Sequence, residues 1–191
     1  MRVLIACEFS QVVCKAFRDK GHEAFSCDLL PTEGNPEWHI QDDVLNHLDD
    51  GWDMMIAHDP CTYQCNSGVR WLYTKLGRWD LLRESCEFTL KILNAPIEMI
   101  CRENPISHKY ALELIGVNYT QCVQPHYFIG SNESKATCLW LKGLLGLQRT
   151  QWLSRDEMRQ TVFKMPPSRD RGKERSRFPM SIAQAMANQW G

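Results

Sequence analysis

Two short apolar runs each end in a chemically loaded segment, and that pairing restricts the folds open to this chain. Asp53-Met54-Met55-Ile56-Ala57 leads into Asp59-Pro60-Cys61-Thr62, and Ile97-Glu98-Met99-Ile100-Cys101 leads into Glu103-Asn104-Pro105. Short apolar runs of this kind read as strands buried on both faces. Between them, Arg78 to Leu93 reads as an amphipathic helix with Leu81, Leu82, Ser85, Phe88, Thr89 and Ile92 on one side. Strand, helix, strand implies parallel neighbours joined by a right-handed crossover. In an open α/β sheet, ligands gather at the carboxyl ends of such strands, so Cys61 and Glu103 are expected in one crevice.

The rest of the chain continues the alternation. Arg2 to Cys7 reads as a first strand, Ser10 to Lys20 as a helix stopped by Gly21, and Glu23 to Cys27 as a second strand closed by Asp28. Pro31 to Trp38 is a polar loop, and Ile40 to Val44 a short strand or turn carrying Asp42 and Asp43. Met99 to Arg102 is the fifth strand and Tyr110 to Ile115 a short helix. Thr120 to Val123 and Thr137 to Leu141 are two late strands, and Ser181 to Trp190 is a closing helix. No internal repeat appears. A chain of 191 residues, 43% hydrophobic and 24% charged, suffices for one α/β domain over residues 1–191.

Formal net charge is −1, so the whole molecule offers no electrostatic argument for a nucleic-acid partner. The distribution does. Between Arg149 and Arg177 stand Arg155, Arg159, Lys164, Arg169, Arg171, Lys173 and Arg175 against Asp156, Glu157, Asp170 and Glu174. Such a stretch is either a phosphate-facing patch or a solvated loop. Nine scattered cysteines, with no signal peptide and no apolar run of transmembrane length, point to reduced thiols in a cytoplasm and no membrane. Cys61 and Cys65 are four apart with His58 near, but no second close Cys/His pair follows, so no metal is expected.

A thiolate beside a carboxyl group suits covalent attack on a ring carbon while a ring nitrogen is held. Asp28 stands where nucleoside-binding folds hold a ribose hydroxyl, although an Asp at a strand end also serves as a turn former. The glycine-rich turn of a dinucleotide fingerprint is missing, because Glu8-Phe9-Ser10-Gln11 follows strand one.

Together these segments resemble the cytosine-C5 DNA methyltransferases, and more closely the small phage and prophage proteins of that kind. Pro60-Cys61 is similar to the family's nucleophile loop. Glu103-Asn104 is similar to its Glu-Asn motif, and Glu8-Phe9-Ser10 to its first motif. Ser134-Lys135-Ala136-Thr137 is similar to the basic motif opening a late strand. The order holds from residue 3 to about 141, with a looser match from Arg175 to Trp190. The resemblance implies a Rossmann-like fold of the AdoMet-dependent methyltransferase type, a mostly parallel α/β sheet with helices on both faces. It implies S-adenosyl-L-methionine as cofactor, held by Glu8, Phe9, Ser10, Asp28, Leu29 and Asp43. Cys61 would be the nucleophile, with Pro60, Glu103 and Asn104 completing the catalytic set. The partner would be DNA, single-stranded or duplex with base flipping, its phosphates met by Lys135, Thr137, Arg171, Lys173 and Arg175.

The chain also departs from that family. Gln11 and Val12 replace glycines. Asp59 occupies a usually uncharged position, where its anion is expected to oppose a Cys61 thiolate. Lys135 and Thr137 replace arginines, and the last motif lacks Gly-Asn. Residues 148–175 form only a short basic insert in place of a target-recognition domain, implying loose specificity or a protein partner that supplies it. Two other readings remain. Asp59-Pro60-Cys61-Thr62-Tyr63 echoes the Asp-Pro-Pro-Tyr loop of amino-directed methyltransferases, and the substrate could equally be a free nucleotide. A degenerate methyltransferase fold could instead bind nucleic acid or a protein.

Overall fold

The computed structural model describes residues 1–168 and 171–191; Arg169 and Asp170 lie outside it, as do the side chains of Phe163 and Lys173. Seven strands form one sheet: β1 (Arg2–Ala6), β2 (Glu23–Cys27), β3 (His39–Ile40), β4 (Met54–Ala57), β5 (Met99–Asn104), β6 (Gln121–Val123) and β7 (Thr137–Lys142). Their order is β3-β2-β1-β4-β5-β7-β6. The first five strands in that order pair in parallel, whereas β7 runs antiparallel to both β5 and β6. The expected α/β class, mostly parallel with helices on both faces, is the class observed.

The central strands are buried on both sides, as their unbroken apolar runs require. Val3, Leu4, Ile5 and Ala6, and likewise Met54, Met55, Ile56 and Ala57, are fully sealed from solvent. Alternate residues feed opposite faces. Val3, Ile5, Met54 and Ile56 pack with Val13 and Phe17 of helix α1 (Val12–Arg18) and with Ile182, Ala183 and Met186 of helix α6 (Met180–Trp190). Leu4, Ala6, Met55 and Ala57 pack on Ile92 of helix α2 (Arg78–Leu93). Helix α3 (Lys109–Ile115) closes a third cluster with α2 through Ala111, Ile115, Leu82 and Cys86.

The boundaries differ from the sequence reading where side chains capture the backbone. Helix α1 begins at Val12 rather than Ser10, because Gln11 adopts a left-handed conformation (φ 56°) and Glu8 accepts from the amides of Val13 and Cys14. The third strand shrinks to two residues, since Asp43 caps a 3-10 turn by accepting from Leu45 N. Strand β5 extends to Asn104, which puts Glu103 and Asn104 in the last rungs of the sheet. The basic insert contains two further helices, α4 (Thr161–Lys164) and α5 (Arg171–Ser176). It is stitched to the β6–β7 connection: Ser134 N donates to Arg159 O, Arg159 N to Asn132 O, and Val162 N to Glu133 Oε1.

Candidate active site

The carboxyl ends of β1, β2, β4 and β5 meet at one edge. The reversal of β7 brings its amino end to that edge as well, so Lys135 stands beside the end of β5, where Asn104 pairs with Cys138. Cys61, Glu103 and Lys135 are thereby gathered into one electrostatic group. Glu103 and Cys61 both act on the Lys135 ammonium, and Glu103 acts on the Cys61 thiol.

The Pro60-Cys61 loop is fixed from below by a buried ion pair. Arg102 Nε donates to Asp59 Oδ1 at 2.7 Å, and its second nitrogen reaches Asp59 Oδ2 at 3.0 Å and Gln64 Oε1 at 2.6 Å. Thr89 donates its hydroxyl to Asp59 Oδ2 at 2.7 Å, and Gln64 Nε2 donates to Thr89 Oγ1 at 2.9 Å. The guanidinium lies over the Trp140 ring, 4.1 Å from its centroid. Asn104 Nδ2 donates to Asp59 O at 3.0 Å, so the Glu-Asn segment braces the Pro-Cys segment directly. The loop is strapped again downstream, where His108 N donates to Gln64 O at 2.9 Å.

This overturns the expected role of Asp59. Its carboxylate is turned into the network of Arg102 and Thr89, and the carboxylate that acts on Cys61 is Glu103. Burial with Arg102 is the reason: an aspartate sealed in the interior requires a cation and a full set of donors.

Cys61 and Cys65 form an asymmetric pair. A hydrogen bond to Cys65, burial and the Glu103 charge all push the Cys61 thiol well above the ordinary range. Cys65 is pulled down to about 5, first by the hydrogen bond from Cys61 and then by the Ser67 hydroxyl and the amides of Ser67 and Gly68. The two thiols titrate as one pair, with the surroundings of Cys65 favouring a thiolate and those of Cys61 opposing one. Lys135, lowered mainly by desolvation, donates to Arg177 O at 3.0 Å rather than extending into solvent.

Sequence reasoning passed over two groups. His58, weighed only as a metal ligand, places Nδ1 3.2 Å from Glu103 Oε2, and its ring is 4.6 Å from that of Phe178. Arg102 was read as the end of an apolar strand. The available signal was a lone cation in the register of Ile100 and Cys101, which demands a buried partner. Among the described residues, no group of three or more His, Cys, Asp or Glu side chains is arranged to hold a metal ion.

The other expected site residues are placed as follows. Glu8 is buried and spends its carboxylate on Val13 N, Cys14 N and the Ser10 hydroxyl, so it shapes the turn after β1. The Cys7 thiol at the tip of β1 is raised by burial and then by the charges of Asp59, Asp28 and Asp43. Asp28 is itself oriented by Leu30 N at 2.9 Å. Leu29 is 72% exposed beside them. Gln11 is buried where the resemblance implies a glycine. It donates to Ser26 Oγ at 3.1 Å and Asn35 O at 2.9 Å, and accepts from Asn35 N at 2.7 Å. Thr137 is fully buried with its hydroxyl on Lys135 O, and Arg171 donates to Met165 O. Arg175 lies close enough to act on Lys135.

No protein-family model and no curated protein matches this chain. Among solved structures it is similar to an E. coli prophage-encoded protein described as a "putative DNA modification methyltransferase". Identity is 13% and the TM-score 0.43, over 74% of this chain and 46% of that one. The chain thus spans less than half of that protein's length in the match.

Proposed function

We propose that this chain transfers a methyl group to C5 of cytosine in DNA through a covalent Cys61 adduct. The observation that carries the reading is the convergence of Cys61, Glu103 and Lys135 at the carboxyl edge, with the Pro-Cys and Glu-Asn segments hydrogen-bonded to each other. S-adenosyl-L-methionine would supply the methyl group. The residues fit it, because Asp28 follows β2 and Asp43 follows β3, the two strands on one side of β1, and they offer carboxylates to a ribose diol and a cationic sulfonium.

Cytosine C5 is a poor nucleophile until a thiolate adds at C6. Cys65, whose surroundings favour a thiolate, takes the Cys61 proton. Lys135 stabilises negative charge on the attacking sulfur, and Glu103 holds the N3 and exocyclic-amine edge while charge develops in the ring. A duplex base must first leave its stack, whereas a single strand avoids that cost. Sequence preference is weak, because the short insert offers phosphate-directed cations and no separate reading module.

DNA containing 5-fluorocytosine tests the reading when incubated with S-adenosyl-L-methionine, since fluorine at C5 blocks the release step. A covalent protein–DNA adduct should form, vanish in Cys61→Ser, and persist but accumulate more slowly in Cys65→Ser. A trap that survives Cys61→Ser excludes the mechanism. Against the amino-directed alternative stands the engagement of both Asp59 carboxylate oxygens in the interior. One observation favours a non-catalytic binder: Gln11 fills the turn where a glycine would leave room beside β1.

A further inference from the structure

Nine free thiols are present, and Cys61 and Cys65 differ from the rest in geometry. Cys65 N and Gln64 N both donate to Cys61 O at 3.0 Å, so residues 61–65 form one helical turn. Positions i and i+4 of such a turn share a face. Helical rise and radius separate their Cα atoms by about 6 Å, inside the range a disulfide spans. Cys65 Sγ lies 3.1 Å from Ser67 Oγ, and the two thiols are close enough to act on each other's titration. Both cysteines are half-buried, whereas Cys7, Cys14, Cys27, Cys86, Cys101 and Cys138 are held as thiols by burial.

We propose that Cys61 and Cys65 form a hydroperoxide-reactive dithiol that closes to an intramolecular disulfide. Cys65 is the attacking sulfur and Cys61 the resolving one. The Cys65 thiolate attacks one peroxide oxygen: an S–O bond forms, the O–O bond breaks, and the departing alkoxide or hydroxide takes a proton from solvent. The Cys61 sulfur then attacks the Cys65 sulfur. The S–S bond forms, the S–O bond breaks, and the leaving hydroxide takes the Cys61 proton to become water. Two thiol sulfurs are oxidised by two electrons in all, and the peroxide is reduced to an alcohol and water, or to two waters for hydrogen peroxide. The assignment of roles follows from the surroundings. The Ser67 hydroxyl 3.1 Å from Cys65 Sγ stabilises a thiolate there, while the Glu103 charge opposes one on Cys61. The dithiol stands whatever the chain methylates. Only its consequence, silencing of the nucleophile, rests on the proposed transfer reaction.

The experiment treats the full chain with one equivalent of hydrogen peroxide, blocks remaining thiols by alkylation, and cleaves after Tyr63, which lies between the two cysteines. The two halves should stay joined, separate on reduction, and together weigh two hydrogens less than the reduced pair. In Cys61→Ser, Cys65 should accumulate a sulfenic acid that a cyclic diketone probe captures, and in Cys65→Ser no crosslink should form. A crosslink located instead at Cys122 and Cys138, which face each other across β6 and β7, overturns the proposal. So does a wild-type protein whose Cys61 and Cys65 are both alkylated after peroxide. Because the mapping reads wild-type protein, it holds even if neither variant folds. Loss of 5-fluorocytosine trapping on oxidation, restored by reductant, would report silencing separately. If the crosslink forms but unoxidised protein never traps DNA, the dithiol survives and the methyl-transfer reading fails.

Discussion

Replacing Arg102 by methionine tests the claim that a buried ion pair holds the Pro60-Cys61 loop. The side chains of Arg102 and Asp59 are 0% and 1% exposed, so neither has access to water as a substitute partner. Arg102→Met strips Asp59 of both nitrogen donors and leaves Gln64 Oε1 without its 2.6 Å bond; Asp59 keeps only the Thr89 hydroxyl. Breaking a buried pair from one side costs about 3–5 kcal/mol, because the remaining charge stays desolvated. For a chain of 191 residues, each kcal/mol moves the thermal midpoint by about 2–4 °C, so a fall of about 6–20 °C is expected. Asp59→Leu combined with Arg102→Met removes both charges and should recover most of that loss, since apolar replacement of a whole pair is often close to neutral. Urea unfolding and thermal melts of the two single variants and the double variant complete a mutant cycle. A loss under about 1 kcal/mol for Arg102→Met would match an exposed pair and refute the reasoning.

Three further outcomes follow from particular contacts. A Cβ at Gly34 would run into the Gln11 carboxamide, itself pinned by Ser26 and Asn35, so Gly34→Ala should cost about 1–3 kcal/mol and lose most of that cost in a Gln11→Ala background, measured by urea unfolding. The Cys65 thiolate persists above its lowered value of about 5, so its alkylation by iodoacetamide should stay fast from neutral pH down to roughly 6 and fall as pH drops through 5; Cys61→Ser should move the profile up toward the ordinary thiol range. DNA binding should be weak, fall steeply between two salt concentrations, and be at least as strong for single strands as for duplexes; tight, salt-insensitive binding to one duplex sequence would show that the short insert reads bases.

The strands and both loaded segments were legible because fully buried parallel strands leave an unambiguous apolar trace. Met54 to Ala57 and Val3 to Ala6 admit no other placement once Cys61 must follow one of them. The direction of β7 was not legible, since Thr137-Cys138-Leu139-Trp140-Leu141 has the same composition read either way and only its partners fix its sense. Asp59 was misjudged for the same reason. Cys61 follows it two residues on, but its energetic neighbour is Arg102, which lies 43 residues away and is also its hydrogen-bond donor. Gln11 shows a third kind of loss. A non-glycine residue at φ 56° is tolerated because its side chain replaces the missing freedom with three hydrogen bonds to β2 and the 31–38 loop, a compensation no local pattern announces.

The net charge of −1 conceals a division along the carboxyl edge that bears on the proposed reaction. At the β1–β3 end, Asp28 and Asp43 both raise the Cys7 thiol, behind burial and the Asp59 charge. At the β5–β7 end, Lys135 and Arg175 face the Glu103 and Cys61 side of the crevice. Arg177 ties the two halves together, its guanidinium 3.0 Å from Glu33 while its carbonyl receives Lys135. Transfer from a sulfonium to a base on a polyanion needs that polarity, with anions where the cationic donor sits and cations where the backbone of the acceptor arrives. The Arg177 bridge makes the division testable as one unit. Arg177→Ala should leave the sheet intact while loosening the segment that holds Lys135 against Glu103, so 5-fluorocytosine trapping should slow several-fold with little change in the thermal midpoint. Unchanged trapping would show that Lys135 is held at the site by its burial alone.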